Sequence, residues 1–160
     1  MITITVGTAT CGVSAGADKV LETLSSLVQE KGQGKVVLAE TGCMGMCYKE
    51  VLVEVSNGDG KFLYGDVTPD IAKRIFEEHV LGGRPIEELV ILHNYQEGPE
   101  EGYLKRQRRI ALRNCGFVDP MSIDDYLARD GYKAIEKVLK TMSQDELIEE
   151  ILSSGLRGRG

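Results

Sequence analysis

Residues 36–48 read Val36-Val37-Leu38-Ala39-Glu40-Thr41-Gly42-Cys43-Met44-Gly45-Met46-Cys47-Tyr48, a short apolar run that gives way to two thiols on a glycine-bearing loop. Val36, Val37 and Leu38 are too few to make a helix face and include two β-branched valines, so they predict a brief buried strand. Working back, Ile2-Thr3-Ile4-Thr5-Val6 has the period-2 pattern of another strand, and Gly7 to Gly16 supplies a small-residue loop. Between the two strands, Val20, Leu21, Leu24, Leu27 and Val28 fall on one face of an amphipathic helix from Ala17 to Glu30, with Ser14 or Gly16 near its start and Gly32 and Gly34 after its end. Strand, helix, strand predicts a parallel pair joined by a crossover.

Working forward, Val51, Leu52, Val53 and Val55 form a further strand, and Asn57-Gly58-Asp59-Gly60 predicts a hairpin turn into Lys61 to Tyr64, because Asn and Gly accept positive φ. Thr68 can cap a helix that starts at Pro69, carries Ile71, Ile75, Phe76 and Val80 on one side, and stops at Gly82-Gly83. The order is β, α, β, loop, β, β, α. It describes an α/β domain with helices over both faces of its sheet, as in thioredoxin-like folds.

Arg84 to Tyr103, with Pro85, Gly98, Pro99 and Gly102, reads as a connecting segment, so the first domain ends near Leu92. Arg109 to Leu112 predicts a short strand or extended piece. Ser122-Ile123-Asp124-Asp125 is an N-cap pattern for a short helix, Ala134, Ile135, Val138 and Leu139 make a second helical face, and Ser143 with Glu146 forms a capping box before Leu147, Ile148, Ile151 and Leu152. These helices have apolar faces and no sheet of their own, and the chain closes on the glycine-rich Gly155 to Gly160. The expectation is the N-terminal part of something larger.

Composition bounds the function. With 42% hydrophobic and 28% charged residues in 160, the chain is of soluble globular type. No apolar stretch approaches the length of a membrane span, and Met1-Ile2-Thr3 has neither the basic start nor the apolar run of a secretory signal, so a cytoplasmic address is expected. The net charge of −6 argues against nucleic acid as a partner. Lys105, Arg106, Arg108, Arg109 and Arg113 run against that trend, as a solvated or protein-contacting segment.

Cysteines stand at 11, 43, 47 and 115. In a cytoplasmic chain such thiols point to metal or redox use rather than disulfides. Cys11 follows the first strand and Cys43 and Cys47 the second; in a parallel pair both loops emerge at one end of the sheet, where the three thiols can converge. Converging thiolates select Zn(II), Cu(I) or an iron–sulfur cluster, and the glycine N–H groups of Gly12, Gly42 and Gly45 suit the sulfurs of a cluster. The spacing of Cys43 and Cys47 before a strand is not the C-x-x-C of a thioredoxin dithiol at a helix start. The alternative is three unliganded cysteines. His79 and His93 read as packing or surface residues, and Cys115, beyond the connecting segment, as structural.

Gly7-Thr8-Ala9-Thr10-Cys11-Gly12, Thr41 to Cys47, Tyr64-Gly65-Asp66-Val67-Thr68-Pro69-Asp70 and Gly82-Gly83-Arg84-Pro85-Ile86 closely resemble the thioredoxin-like [2Fe-2S] ferredoxin domain over residues 1–92. After a linker at 93–108, Asn114-Cys115-Gly116-Phe117-Val118-Asp119-Pro120, Ser122 to Tyr132 and Ser154 to Gly160 resemble the opening of the NADH-binding flavoprotein subunit of complex I, here 109–160. Both in one chain resemble the beta subunit of NADH-linked iron hydrogenases, electron-bifurcating ones included, or of related NAD-dependent formate dehydrogenases.

The resemblance implies a [2Fe-2S] cluster on Cys11, Cys43 and Cys47. It also implies that Gly158, Arg159 and Gly160 begin the loop that holds FMN and NAD in the full-length subunit, whose dinucleotide site lies downstream. It implies as partners the other subunits of a hydrogenase or formate dehydrogenase type complex, among them a small thioredoxin-like [2Fe-2S] subunit. One departure stands out: the family usually has a second cysteine in slots that here hold Gly16 and Leu24, and the beta subunits it resembles often share this single-cysteine first loop. Ser14, solvent or a returning Cys115 would have to complete the shell. The implied role is an electron-transfer module relaying single electrons between flavin and partner subunits; the alternative is a cluster-free docking domain.

Overall fold

The computed structural model describes residues 1–32, 34–94, 106 and 108–158. Most of the linker expected at 93–108, Lys105 of the basic run, Arg159 and Gly160 lie outside the described residues. By contact the chain forms two units, Met1–Met121 and Ser122–Gly160.

The first unit is built on a five-stranded sheet of β1 (Ile2–Gly7), β2 (Val36–Thr41), β3 (Val53–Asn57), β4 (Gly60–Tyr64) and β5 (Val90–His93), in the order β2-β1-β3-β4-β5. Strand β1 (Ile2–Gly7) pairs in parallel with β2 (Val36–Thr41), from Ile2 opposite Val36 to Gly7 opposite Thr41. Helix α2 (Ala17–Lys31) makes the crossover, burying Ala17, Val20 and Leu24, as its periodicity requires. Strand β3 (Val53–Asn57) runs antiparallel to β1 and turns into β4 (Gly60–Tyr64). Asn57 Oδ1 accepts the Asp59 N–H at 2.9 Å in that turn, and Gly60 holds a φ of 132° that a side chain would resist. Thr68 caps α3 (Pro69–Arg74), accepting the Ile71 N–H at 3.3 Å, and the helix continues in π-helical form over Ile75–Leu81.

The main core lies on one face of the sheet. Ile4, Val6, Val53, Val55, Phe62 and Tyr64 meet Val20 and Leu24 of α2 and Ala72, Ile75, Phe76 and Val80 of the second helix. The expectation of helices on both faces is therefore corrected, since both long helices share this one. The other face carries a smaller core in which Met44 and Met46 of the cysteine loop pack on Leu52, Leu63 and Leu92. Alternation explains the split: Phe62 and Tyr64 point one way and Leu63 the other.

Three further features depart from the sequence reading. The Gly7–Gly16 loop contains a short helix, α1 (Thr10–Ala15), ended by Gly16 at a φ of 105°. A fifth strand, β5 (Val90–His93), pairs antiparallel with β4 through an irregular register at Leu63 and Tyr64; four residues without alternation give no strand signal. The expected strand at Arg109 to Leu112 is absent: the segment turns, Leu112 O accepting the Cys115 N–H at 3.1 Å and Asn114 O those of Phe117 and Val118.

The second unit holds α4 (Ile123–Ala128), α5 (Lys133–Thr141) and α6 (Gln144–Ser153). Ser122 caps α4, and the expected capping box opens α6, Glu146 Oε2 accepting the Ser143 N–H at 2.7 Å while Ser143 Oγ accepts the Glu146 N–H. Ile135, Leu139, Ile148, Ile151 and Leu152 are exposed. No helix among the described residues is long and apolar enough to cross a membrane.

Candidate metal centre

The parallel pairing of β1 and β2 delivers two loops to one end of the sheet. Gly7 donates its N–H to Leu52 O and Thr8 donates its N–H to Thr41 O, each at 3.0 Å, so the segment leading to Cys11 and the segment leading to Cys43 leave side by side. Cys11 lies exposed on α1. Gly12, one of the glycines expected to offer an N–H to sulfur, has a packing reason to be glycine: a Cβ there would stand 2.2 Å from Gly7 O.

The Cys43–Cys47 loop owes its form to alternating burial. Met44 and Met46 are 5% and 1% exposed and anchor it in the second core, while Cys43 is half-buried and Cys47 exposed. Inward methionines leave the thiols on the outer side. Gly45 bends the loop at a φ of 82°, and its N–H donates to Cys43 Sγ at 3.3 Å.

The two sulfurs stand 3.8 Å apart. Tetrahedral metal–thiolate bonds of about 2.3 Å place two sulfurs on one metal about 3.8 Å from each other. The donor pair therefore fits a thiolate-bound metal or cluster without rearrangement. The Gly45 N–H pulls the Cys43 pKa down, but burial and the neighbouring Cys47 and Glu50 together outweigh it, so the thiol titrates above its ordinary value. Two adjacent thiols resist ionising together until a cation supplies the compensating charge. Burial likewise raises the Glu50 carboxyl, against the Leu52 N–H that donates to it at 3.1 Å.

Among the described residues no three Cys, His, Asp or Glu side chains are gathered closely enough to hold a metal ion. The structure thus joins Cys43 to Cys47 and brings Cys11 to the same end of the sheet without closing the trio. Ser14 is exposed on α1, and Gly158 is exposed backbone with open space around it.

Both histidines are packing residues. His79 is buried, with Nδ1 2.8 Å from Tyr64 Oη, Nε2 3.3 Å from Asn57 Nδ2 and its ring edge-on to Phe62. Burial holds its pKa below the ordinary histidine value, against the pull of Asp59, and burial drives Tyr64 up to about 12. His93 stacks on Phe62 with ring centroids 4.3 Å apart.

Thr41 is the site residue that sequence reasoning missed. It is 3% exposed, and its Oγ1 accepts the Gly116 N–H at 3.1 Å. A threonine closing a strand carries no sequence signal for such a contact.

No protein-family model matches the chain. Over 56 residues, 35% of its length, it is 59% identical to the NADP-reducing hydrogenase subunit HndC of Solidesulfovibrio fructosivorans, spanning 11% of that subunit. Over 94 residues, 58% of its length, it is 31% identical to the NADP-reducing hydrogenase subunit HndB of the same organism, spanning 74% of it. A thioredoxin-like [2Fe-2S] ferredoxin from Aquifex aeolicus matches with a TM-score of 0.53 and 28% identity, over 58% of this chain and 92% of the ferredoxin. The α/β sheet of the first unit is thus of the thioredoxin-like ferredoxin type, and the chain belongs to the family of the NADP-reducing hydrogenase subunit HndB.

Proposed function

We propose that this chain is an electron-transfer module of an NADH-linked flavin and iron–sulfur oxidoreductase complex, with a [2Fe-2S] cluster held by Cys11, Cys43 and Cys47. The observation that carries the reading is the Cys43–Cys47 sulfur pair at 3.8 Å with the Gly45 N–H aimed at one of them. The likeness to a ferredoxin whose name includes the cluster supports it. When bound, such a cluster supplies one-electron chemistry.

The residues of this chain then have defined tasks. Cys43 and Cys47 hold one iron, and Cys11 is on hand at the same end of the sheet. The Gly45 N–H stabilises charge on the Cys43 sulfur, and Met44 and Met46 keep water from the inner side of the loop. Cys11 and Cys47 face outward, where a partner subunit can approach.

In this reading residues 1–92 are the ferredoxin domain, 93–108 a linker, and 109–160 the start of a flavoprotein domain. Gly158, Arg159 and Gly160 open the loop for FMN and NAD in a longer subunit. The partners are subunits of a hydrogenase or formate dehydrogenase type complex in the cytoplasm, including a small thioredoxin-like [2Fe-2S] subunit. The names of HndB and HndC, both hydrogenase subunits, support that setting.

The test is anaerobic purification with assay of iron and acid-labile sulfide and electron paramagnetic resonance of the reduced protein. Equimolar iron and sulfide with a rhombic signal are expected; stoichiometric zinc, or no metal, refutes the reading. Alanine at Cys11, Cys43 and Cys47 distinguishes the docking alternative, which predicts lost assembly with an unchanged chromophore.

A further inference from the structure

Thr41 joins the three segments that carry cysteines. Its carbonyl accepts the Thr8 N–H, three residues before Cys11, and its buried hydroxyl accepts the Gly116 N–H, next to Cys115, while Thr41 itself stands two residues before Cys43. The turn that bears Cys115 is laid on the cysteine loop. A Cβ on Gly116, whose φ is 83°, would lie 3.2 Å from Met44 Cε, and the site of a Gly45 Cβ is 3.7 Å from Leu112 Cδ1. Cys115 is half-buried in that turn. It is therefore not the remote structural cysteine that its place in the sequence implies.

The ligand count gives this placement chemical meaning. A [2Fe-2S] unit bound by protein sulfur takes four thiolates, two to each iron. The Cys43–Cys47 separation is that of two sulfurs on one metal, so the second iron needs two more donors. The first loop offers Cys11 as its one thiol, because Gly16 and Leu24 stand in the slots where a second cysteine would be.

We propose that Cys115 is the fourth thiolate of the cluster, sharing the second iron with Cys11 while Cys43 and Cys47 hold the first. The proposal rests on the cluster reading given above. Thr41 brings the backbones together, and metal binding draws in the thiolates of Cys11 and Cys115. Two ferric ions and two sulfides meet the four thiols, each thiol releasing its proton to solvent as its sulfur binds iron, so assembly changes no oxidation state.

The experiment uses the full chain, reconstituted anaerobically with ferric iron and sulfide, as wild type, C115S, C115A and S14A. Bound iron in C115A is expected to fall by about half or more. C115S is expected to keep a cluster whose resonance g-values and visible bands shift with oxygen in place of sulfur, and S14A to match wild type. In wild type itself, Cys115 should be alkylated in the apo chain and protected in the loaded one, a readout that needs no folded variant. Unchanged iron, absorption and resonance in both Cys115 variants would overturn the assignment while leaving the cluster reading intact, as would equal alkylation of apo and loaded protein. A wild-type chain that takes up no iron and sulfide would overturn both.

Discussion

Replacing Thr41 with valine tests whether one hydroxyl holds the 112–118 turn on the cysteine loop. Valine preserves most of the side-chain volume and leaves the Thr41 carbonyl free to accept the Thr8 N–H, so the loss is confined to the bond from the Gly116 N–H at 3.1 Å. A net hydrogen bond is worth about 0.5–1.5 kcal/mol, and orphaning a buried donor costs about 1–3 kcal/mol. Thr41 is buried but Gly116 only half so, and water can reach the freed N–H; the expected loss is about 1–2 kcal/mol. In a protein of this size that lowers the melting temperature by roughly 2–8 °C. Hydrogen exchange at the Gly116 amide should accelerate by about 5–30-fold, the factor equivalent to that free energy. Thr41→Ser keeps the acceptor and should retain most of the protection. The reasoning fails if T41V leaves both the melting point and the Gly116 exchange rate unchanged, or if T41S loses as much as T41V.

Met46→Ala empties a 1% exposed position in the smaller core and should cost about 2–5 kcal/mol by chemical denaturation; a loss under about 1 kcal/mol would mean that the loop is not anchored there. Gly12→Ala puts a methyl group 2.2 Å from Gly7 O and should destabilise by about 1–3 kcal/mol, whereas Gly34→Ala, with open space but a φ of 70°, should lose less. Burial lowers the His79 pKa, so as the pH falls through about 6.5 the unfolded chain takes up a proton more readily than the folded one. Stability should therefore fall on acidification from pH 7 toward pH 5, by at most about 1.4 kcal/mol per pH unit from this group. Burial raises the Glu54 carboxyl, which acts in the opposite sense at the acid end, so the histidine contribution is read as the difference between wild type and His79→Gln; parallel pH profiles for the two would contradict it. Ser143→Ala removes one side of the capping box and should loosen α6 by about 0.5–2 kcal/mol, seen as lost helical circular dichroism.

Several features of this protein were decided locally and are legible in the order of residues. Period-2 alternation in Ile2–Val6, the helical face of Val20 to Val28, the Asn57–Gly60 turn, the Thr68 cap with Pro69 and the Ser143/Glu146 box each depend on neighbours within a few positions, and each stands in the structure as expected. The parallel pairing of β1 with β2 followed from the helix between them, and with it the arrival of two cysteine-bearing loops at one end of the sheet. Other features needed partners far along the chain. β5 is a strand because β4 had a free edge for it, not because Val90 to His93 alternate. The second face of the sheet is covered by Met44 and Met46, which in the sequence look like spacers between thiols. The return of Cys115 to the loop depends on a hydrogen bond between residues 75 apart, and the closing of such a contact is a balance of chain entropy against burial that no local pattern records.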